Sequence, residues 1–274
     1  MLKLGHIIYS NCFLPHAGIR TGAVDYPFQM IDGVPTELNR LLVEGKIDVS
    51  PSSSIEYAVN AGKYLILPGM SISSRTRVMS ILLESKVPIE ELDKRAVALT
   101  TASATSVVLL RVILEIFFGV NPDFRQYEQG KEDPYQQADA VLTIGDLALK
   151  RAAAPTFPHA YDLGELWHRK TGLPFVFALW QVNYRKSLDR DLARIYSILK
   201  ASKDYGLAHV HELARDHAAE FGIPADILER YWKVLSYDFG PDEQKGLLTY
   251  YGYAAELGVI SSVPDLCFWT EGAR

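Results

Sequence analysis

Asn11 is the first residue whose type and position suggest chemistry. It ends the apolar run GHIIYSN and stands beside Cys12, one of two cysteines in the chain. Asparagine is a poor strand former. Its amide both donates and accepts, so it can hold a carboxylate or hydroxyl without changing its own protonation state. An Asx turn closing the strand accounts for it equally well. Cys12 reads as a small buried hydrophobe, with no base tied to it by spacing.

Four further stretches carry polar groups where ligands are commonly met. TTASATS, Thr100 to Ser106, opens a helix with small hydroxyl residues, so its amides can face an anion, with Ser103, Thr105 and Ser106 as candidates. Ordinary N-capping by Ser103 or Thr105 is the alternative. The serine turn Ser50 to Ser54 precedes another helix. There Ser53 and Glu56 fit a capping box, and Ser52 is left to face a ligand. Ser80 is the polar interruption of RVMSILL, and a backbone-bonded core serine is its other reading. Ile144, Gly145 and Asp146 lie where a strand turns into a helix, and Asp146 also reads as a helix cap. His6, inside the first strand, reads as structural.

The chemistry available to such a set is binding and positioning of a small anionic, hydroxylated molecule by amides, hydroxyls and helix N-termini. No G-x-S-x-G, P-loop or G-x-G-x-x-G stands at a strand–helix turn, so no nucleotide cofactor or covalent triad is expected. Cys12 and Cys267 lie at opposite ends without metal spacing, so no metal is expected either.

The elements that must position these residues alternate. Leu4 to Tyr9, Tyr26 to Ile31 and Ile47 to Val49 are apolar runs. Between the last two, Pro35 opens a helix with Leu38, Leu41 and Leu42 at helical spacing, and Gly45 stops it. The middle repeats the logic: strand Arg95 to Thr101, a helix from the serine-rich loop to Gly119, then strand Ala138 to Ile144. Arg77 to Ser85 and Leu173 to Tyr184 are β-rich and read as two strands crossing between lobes. Leu192, Ile195, Tyr196 and Leu199 form one buried helical face, and Pro224 and Pro241 stand near later helix starts. This tail reads as helices returning to cover the first lobe. The result is an α/β protein of two lobes, residues 1–84 plus 179–274 and residues 85–178, with a central cleft at the carboxyl ends of the strands.

Composition agrees. At 274 residues, two lobes of ordinary size are expected. With 48% hydrophobic and 22% charged residues the chain reads as globular, and a net charge of -5 without a basic block argues against nucleic acid as a partner. No apolar run approaches the roughly 20 residues that span a bilayer. The first strand starts too near Met1 to leave room for an export signal, so a cytoplasmic location without membrane association is expected. The sequence leaves a homodimer open.

In combination, GHIIYSNC, LVEGKIDVSPSSSIEY, VMSILL, VALTTASATSV, ADAVLTIGDLAL, DLGELWHRKTGLPFVFALW and YDFG resemble the chorismate dehydratase family of the futalosine route to menaquinone, over nearly the whole chain. The resemblance implies the fold of type II periplasmic binding proteins. It also implies a cofactor-free loss of water from chorismate to give 3-[(1-carboxyvinyl)oxy]benzoate. Asn11 and Ser80 match the family's important polar residues. The implied mechanism is substrate-assisted: the enolpyruvyl carboxylate removes the ring proton while Asn11 and Ser80 position it. One departure is Ala104, where relatives often have Arg; another is SSRTRVMS, which carries Arg75 and Arg77. The related 1,4-dihydroxy-6-naphthoate synthase and a non-catalytic small-anion binding protein are the competing readings.

Overall fold

The computed structural model describes residues 2–152, 155–186 and 190–271. The chain opens with strand β1 (Lys3–Ile7), a 3-10 turn (Ser10–Cys12) and helix α1 (Phe13–Arg20). Strand β2 (Gln29–Gly33), helix α2 (Pro35–Val43), strand β3 (Val49–Ser53), helix α3 (Ser54–Val59) and strand β4 (Tyr64–Ser74) follow. Pro35 opens α2, which buries Leu38, Asn39 and Leu42 along with it. The helix ends where Gly45 takes a left-handed φ of 69° and Lys46 N–H returns to the Leu41 carbonyl at 2.8 Å.

Next come β5 (Ile81–Ser85), β6 (Ala96–Thr100) and α4 (Ala104–Arg111), which runs on as a π-helical stretch (Val112–Phe117). Phe118 and Gly119 terminate it, with Gly119 left-handed and Val120 N–H bonded to the Leu114 carbonyl. Then follow β7 (Asp123–Tyr127), β8 (Ala140–Ile144), α5 (Gly145–Ala152), β9 (His159–Asp162), α6 (Leu163–Thr171) and β10 (Phe175–Asn183). The remaining elements are α7 (Arg190–Ala208), α8 (Val210–Phe221), α9 (Ala225–Val234), the short β11 (Leu235–Ser236) and α10 (Pro241–Glu256). No described helix is long and apolar enough to cross a membrane.

The elements form two compact units. One comprises Met1–Ser73, Val176–Gly240 and Pro264–Arg274, the other Ser74–Phe175 and Pro241–Val263. The chain therefore changes unit four times, first at Ser73/Ser74 and Phe175/Val176, where the sequence suggested 84 and 178. Helix α10 belongs to the second unit and not, as the tail suggested, to the first.

The first unit holds a six-stranded sheet in the order β11-β4-β10-β3-β1-β2. Strand β1 runs parallel to β2 and β3, and β10 runs antiparallel to β3. Helix α1 packs on α7 so closely that a Cβ on Gly206 would come to 2.1 Å from the Leu14 carbonyl oxygen. The second unit holds a five-stranded sheet, β7-β6-β8-β5-β9, in which β6 is parallel to β7 and β8, while β5 is antiparallel to β8 and β9.

Two local expectations change. The serines at 50–53 lie in strand β3, paired residue by residue with β10 from Ser53↔Ala178 to Val49↔Val182, and not in a turn. The crossing strand placed at Arg77 to Ser85 starts only at Ile81, and the long strand of this region is β4, which runs through Pro68 and Gly69.

Candidate functional site

In the first unit, β1 stops at Ile7 and the 3-10 turn holds Asn11. Cys12 N–H closes the turn on the Tyr9 carbonyl at 3.0 Å, and the Trp232 indole N–H donates to the Ser10 carbonyl at 2.8 Å. Phe13 stacks on the same indole, with centroids 5.5 Å apart and rings 11° from parallel. The turn is thus pinned on both sides of Asn11. Its side-chain carbonyl Oδ1 is buried and has no hydrogen-bond partner among the described residues. Buried polar atoms are normally paired, so an orphan at a strand end is where a ligand donor is expected.

Further orphaned buried oxygens of this unit include, beside the Tyr26 hydroxyl, the Tyr237 hydroxyl and Oε1 of Gln181, whose Nε2 donates to the Ser53 carbonyl at 3.2 Å. Sequence reasoning missed them. For Gln181 a signal existed, since it is the one amide in the apolar run FVFALWQV.

The serines nearby are committed. Ser52 Oγ donates to Asn39 Oδ1 at 2.6 Å, with both side chains buried. The capping box does not form: Ser53 makes no side-chain cap, and Glu56 accepts from Asn60 Nδ2 at 2.6 Å.

Behind the turn, His6, Cys12 and His16 form a buried cluster whose ligand-type atoms lie within 4.8 Å of one another. Sequence spacing gave no sign of it, because only the turn brings Cys12 and His16 back to β1. Trp180 Nε1 is a pure donor and points at His16 Nε2 at 3.3 Å. Neutral His16 therefore carries its proton on Nδ1 and donates to His6 Nδ1, 2.6 Å away. Two imidazoles on one tetrahedral metal would stand about 3.3 Å apart, and His16 ligating through Nδ1 would turn an N–H toward the indole N–H. The arrangement is a tautomer-locked hydrogen-bonded pair. Burial, with Arg20 next in weight, lowers the His6 pKa to about 4, and burial and His6 hold His16 well below its usual value. Burial also pushes the Cys12 thiol up to about 12. None of the three is poised as a base or nucleophile near neutral pH.

In the second unit, Ser80 sits immediately before β5, and its carbonyl accepts from Gly145 N–H at 2.8 Å. Ile81 pairs with Ile144, so Ser80 and the Ile144–Asp146 turn are brought together. The approach to Ser80 is bent at Met79, which takes a left-handed φ of 65°. The buried Asp162 carboxylate holds that bend, accepting from Val78 N–H at 3.0 Å and Met79 N–H at 2.6 Å, and from Glu165 N–H as cap of α6. Burial raises the Asp162 pKa, and the three backbone bonds and Arg77 oppose the rise. Gly164 is required here, since a Cβ would lie 2.8 Å from the Thr76 carbonyl oxygen. Gln129 clamps Ile144 through both backbone groups at 3.0 Å, and Gly145 is left-handed at φ 63°.

At the start of α4, Ser103 is the N-cap. Its Oγ accepts from Ser106 N–H at 3.3 Å and lies 3.0 Å from Ser106 Oγ. The capping alternative therefore accounts for Ser103 and Ser106. Thr105 is buried, and its carbonyl accepts from the Tyr250 hydroxyl at 3.1 Å. Arg75 reaches Asp242 at 3.4 Å on the surface.

Residues 2–256 match the family model described as menaquinone biosynthesis. The chain belongs to the menaquinone biosynthesis family. Among relatives of the family, it is 35% identical to the chorismate dehydratase of Thermus thermophilus over 80% of this chain and 84% of that protein. The chorismate dehydratase of Campylobacter jejuni is 31% identical over 67% of each. A solved structure from Archaeoglobus fulgidus superposes with a TM-score of 0.77 at 18% identity, covering 94% of this chain and 98% of that one. The periplasmic aliphatic sulphonate binding protein of Escherichia coli superposes at 0.63 and 12%, over 100% of this chain and 94% of that one. The fold of this family member is that of the periplasmic binding proteins.

Proposed function

We propose that this chain is a chorismate dehydratase, a cytoplasmic hydro-lyase of menaquinone biosynthesis that eliminates water from chorismate to give 3-[(1-carboxyvinyl)oxy]benzoate. The observation that carries the reading is the 35% identity to a named chorismate dehydratase over most of both chains. The chemistry of the candidate residues supports it. The partnerless Oδ1 of Asn11 offers an acceptor, and its amide N–H₂ offers donors to a carboxylate. Ser80 stands on a loop held by Asp162 and Gly145. His6 and His16, clustered with Cys12 of the turn that carries Asn11, are locked to each other in the neutral state, so neither is available to take a proton.

In this reading the enolpyruvyl carboxylate of the substrate takes the ring proton. The released electron pair forms the last ring double bond, and the ring hydroxyl departs, taking the abstracted proton from the enolpyruvyl carboxyl group to leave as water and restoring the carboxylate. Asn11 and Ser80 orient the reacting groups. The start of α4, with Ser103, Thr105 and Ser106, and the Ile144–Asp146 turn contribute to binding the substrate in the second unit; Ser52 and Ser53 shape the first.

The test is incubation of purified protein with chorismate, followed by ultraviolet absorbance for ring aromatisation and mass spectrometry for loss of water. Turnover that falls on the order of 10²-fold in Asn11→Ala and Ser80→Ala is the expected result. Binding of chorismate without loss of water would favour a small-anion receptor instead, which the sulphonate-binding neighbour makes the second reading.

A further inference from the structure

The deepest unpaired hydroxyl in the first unit belongs to Tyr237. The residue is 2% exposed and its Oη has no hydrogen-bond partner among the described residues. Its backbone is fixed on β4: Ser71 N–H donates to the Tyr237 carbonyl at 3.2 Å, and Ser71 Oγ donates to the next carbonyl, that of Asp238. On that held backbone the ring is enclosed by protein. Burial, with Tyr231 and Cys12 as the charges it would feel, holds the phenol far above its usual range. It is a permanent donor. Its segment follows directly on α9 and β11, and α9 reaches the turn that carries Asn11 through Trp232, whose indole N–H donates to the Ser10 carbonyl at 2.8 Å; the buried Oδ1 of Asn11 is orphaned as well. A donor and an acceptor, both buried and both without a partner among the described residues, thus lie on segments that meet at one turn. Leaving them so costs stability, and that cost is recovered only if something else pairs with them.

We infer that the Tyr237 hydroxyl is a substrate-contacting group, donating a hydrogen bond to a carboxylate oxygen of the molecule that Asn11 holds. The inference rests on the dehydratase reading, with chorismate as that molecule. It extends the site to a residue on the segment after β11, far from Asn11 in sequence.

Tyr237→Phe removes one oxygen and keeps the ring. Because the lost hydroxyl has no partner among the described residues, the unfolding midpoint of the unliganded variant should equal or exceed that of the wild type. kcat/KM for chorismate should fall roughly 10- to 100-fold, the range of a hydrogen bond to a charged acceptor. Wild-type turnover with a Tyr237→Phe variant within twofold of it overturns the inference and leaves the dehydratase reading intact. A loss of activity accompanied by a lowered midpoint also overturns it, since the hydroxyl would then serve the fold. A wild type that does not dehydrate chorismate overturns the dehydratase reading and the inference together.

Discussion

Mild acid should destabilise this protein through His6 and His16. Both rings are buried and joined as a neutral pair, with the proton on His16 Nδ1 and on His6 Nε2. His6 titrates at about 4 in the fold, against about 6.5 in an unfolded chain. Between those values the unfolded chain binds more protons than the folded one. The stability that the neutral pair contributes is thus complete above about pH 6.5 and is lost as the pH falls toward 4. Each pH unit is worth about 1.4 kcal/mol per group, so going from 6.5 to 5 removes about 2 kcal/mol through His6. His16, lowered for the same reason, brings the loss to at most about 4 kcal/mol. That is a large part of the ~5–15 kcal/mol that holds a domain folded. Urea unfolding at pH 7, 6 and 5 measures it, with a His6→Phe/His16→Phe variant as the reference that has no pair to protonate. The wild type should lose about 2–4 kcal/mol more than the variant over this range. Equal losses in the two proteins would refute the reasoning, as would nitrogen-15 NMR of the wild type placing the His16 proton on Nε2.

Asp162→Asn keeps the shape of the clamp but sets an N–H₂ against the amides of Val78, Met79 and Glu165. Chemical denaturation should show a loss of about 1–3 kcal/mol, and turnover should fall with the placement of Ser80. Gly206→Ala must separate α1 from α7, and because the obstacle is backbone, thermal unfolding should register one of the largest single-site losses in the chain, about 3 kcal/mol or more. Ser103→Ala removes the cap of α4 and should cost about 1 kcal/mol in the same measurement.

The segments that were legible in sequence are those whose local signals agree with the final packing. Helix α2 carries Pro35 and Gly45 at its ends, and the strand before the serine-rich loop and the Ala140–Ile144 strand are apolar runs that stop where the polar turn begins. The loops around Asn11 and Ser80 stood out for the same reason: a polar residue interrupts an apolar run. What was not legible depends on partners distant in sequence. Strand β3 is Val-Ser-Pro-Ser-Ser, a turn by composition, and becomes a strand because the apolar β10 pairs along it and buries every residue. Strands β7 and β9 lie at the two edges of their sheet, where polar residues such as Asp123, Arg125 and His159 are tolerated and hide the pattern. The His6–His16 pair and the orphaned Tyr237 hydroxyl have no signature along the chain, because a missing partner is visible only when every neighbour is known.

The order in which the chain visits its two units also sets a schedule for its synthesis. Residues 264–271 close the first unit: Trp269 N–H bonds the Ile66 carbonyl, Cys267 N–H bonds the Tyr57 hydroxyl, and Ile66 forms a bridge with Phe268. A nascent chain emerges at about 5–20 residues per second, so β1 waits roughly 15–50 s for the segment that completes its own unit. The contiguous stretch from Ser74 to Phe175, which holds all five strands of its sheet, has no such wait for its strands. On the ribosome the second sheet can assemble while the first is still incomplete, and its unpaired strands are the part of this protein that a chaperone would meet.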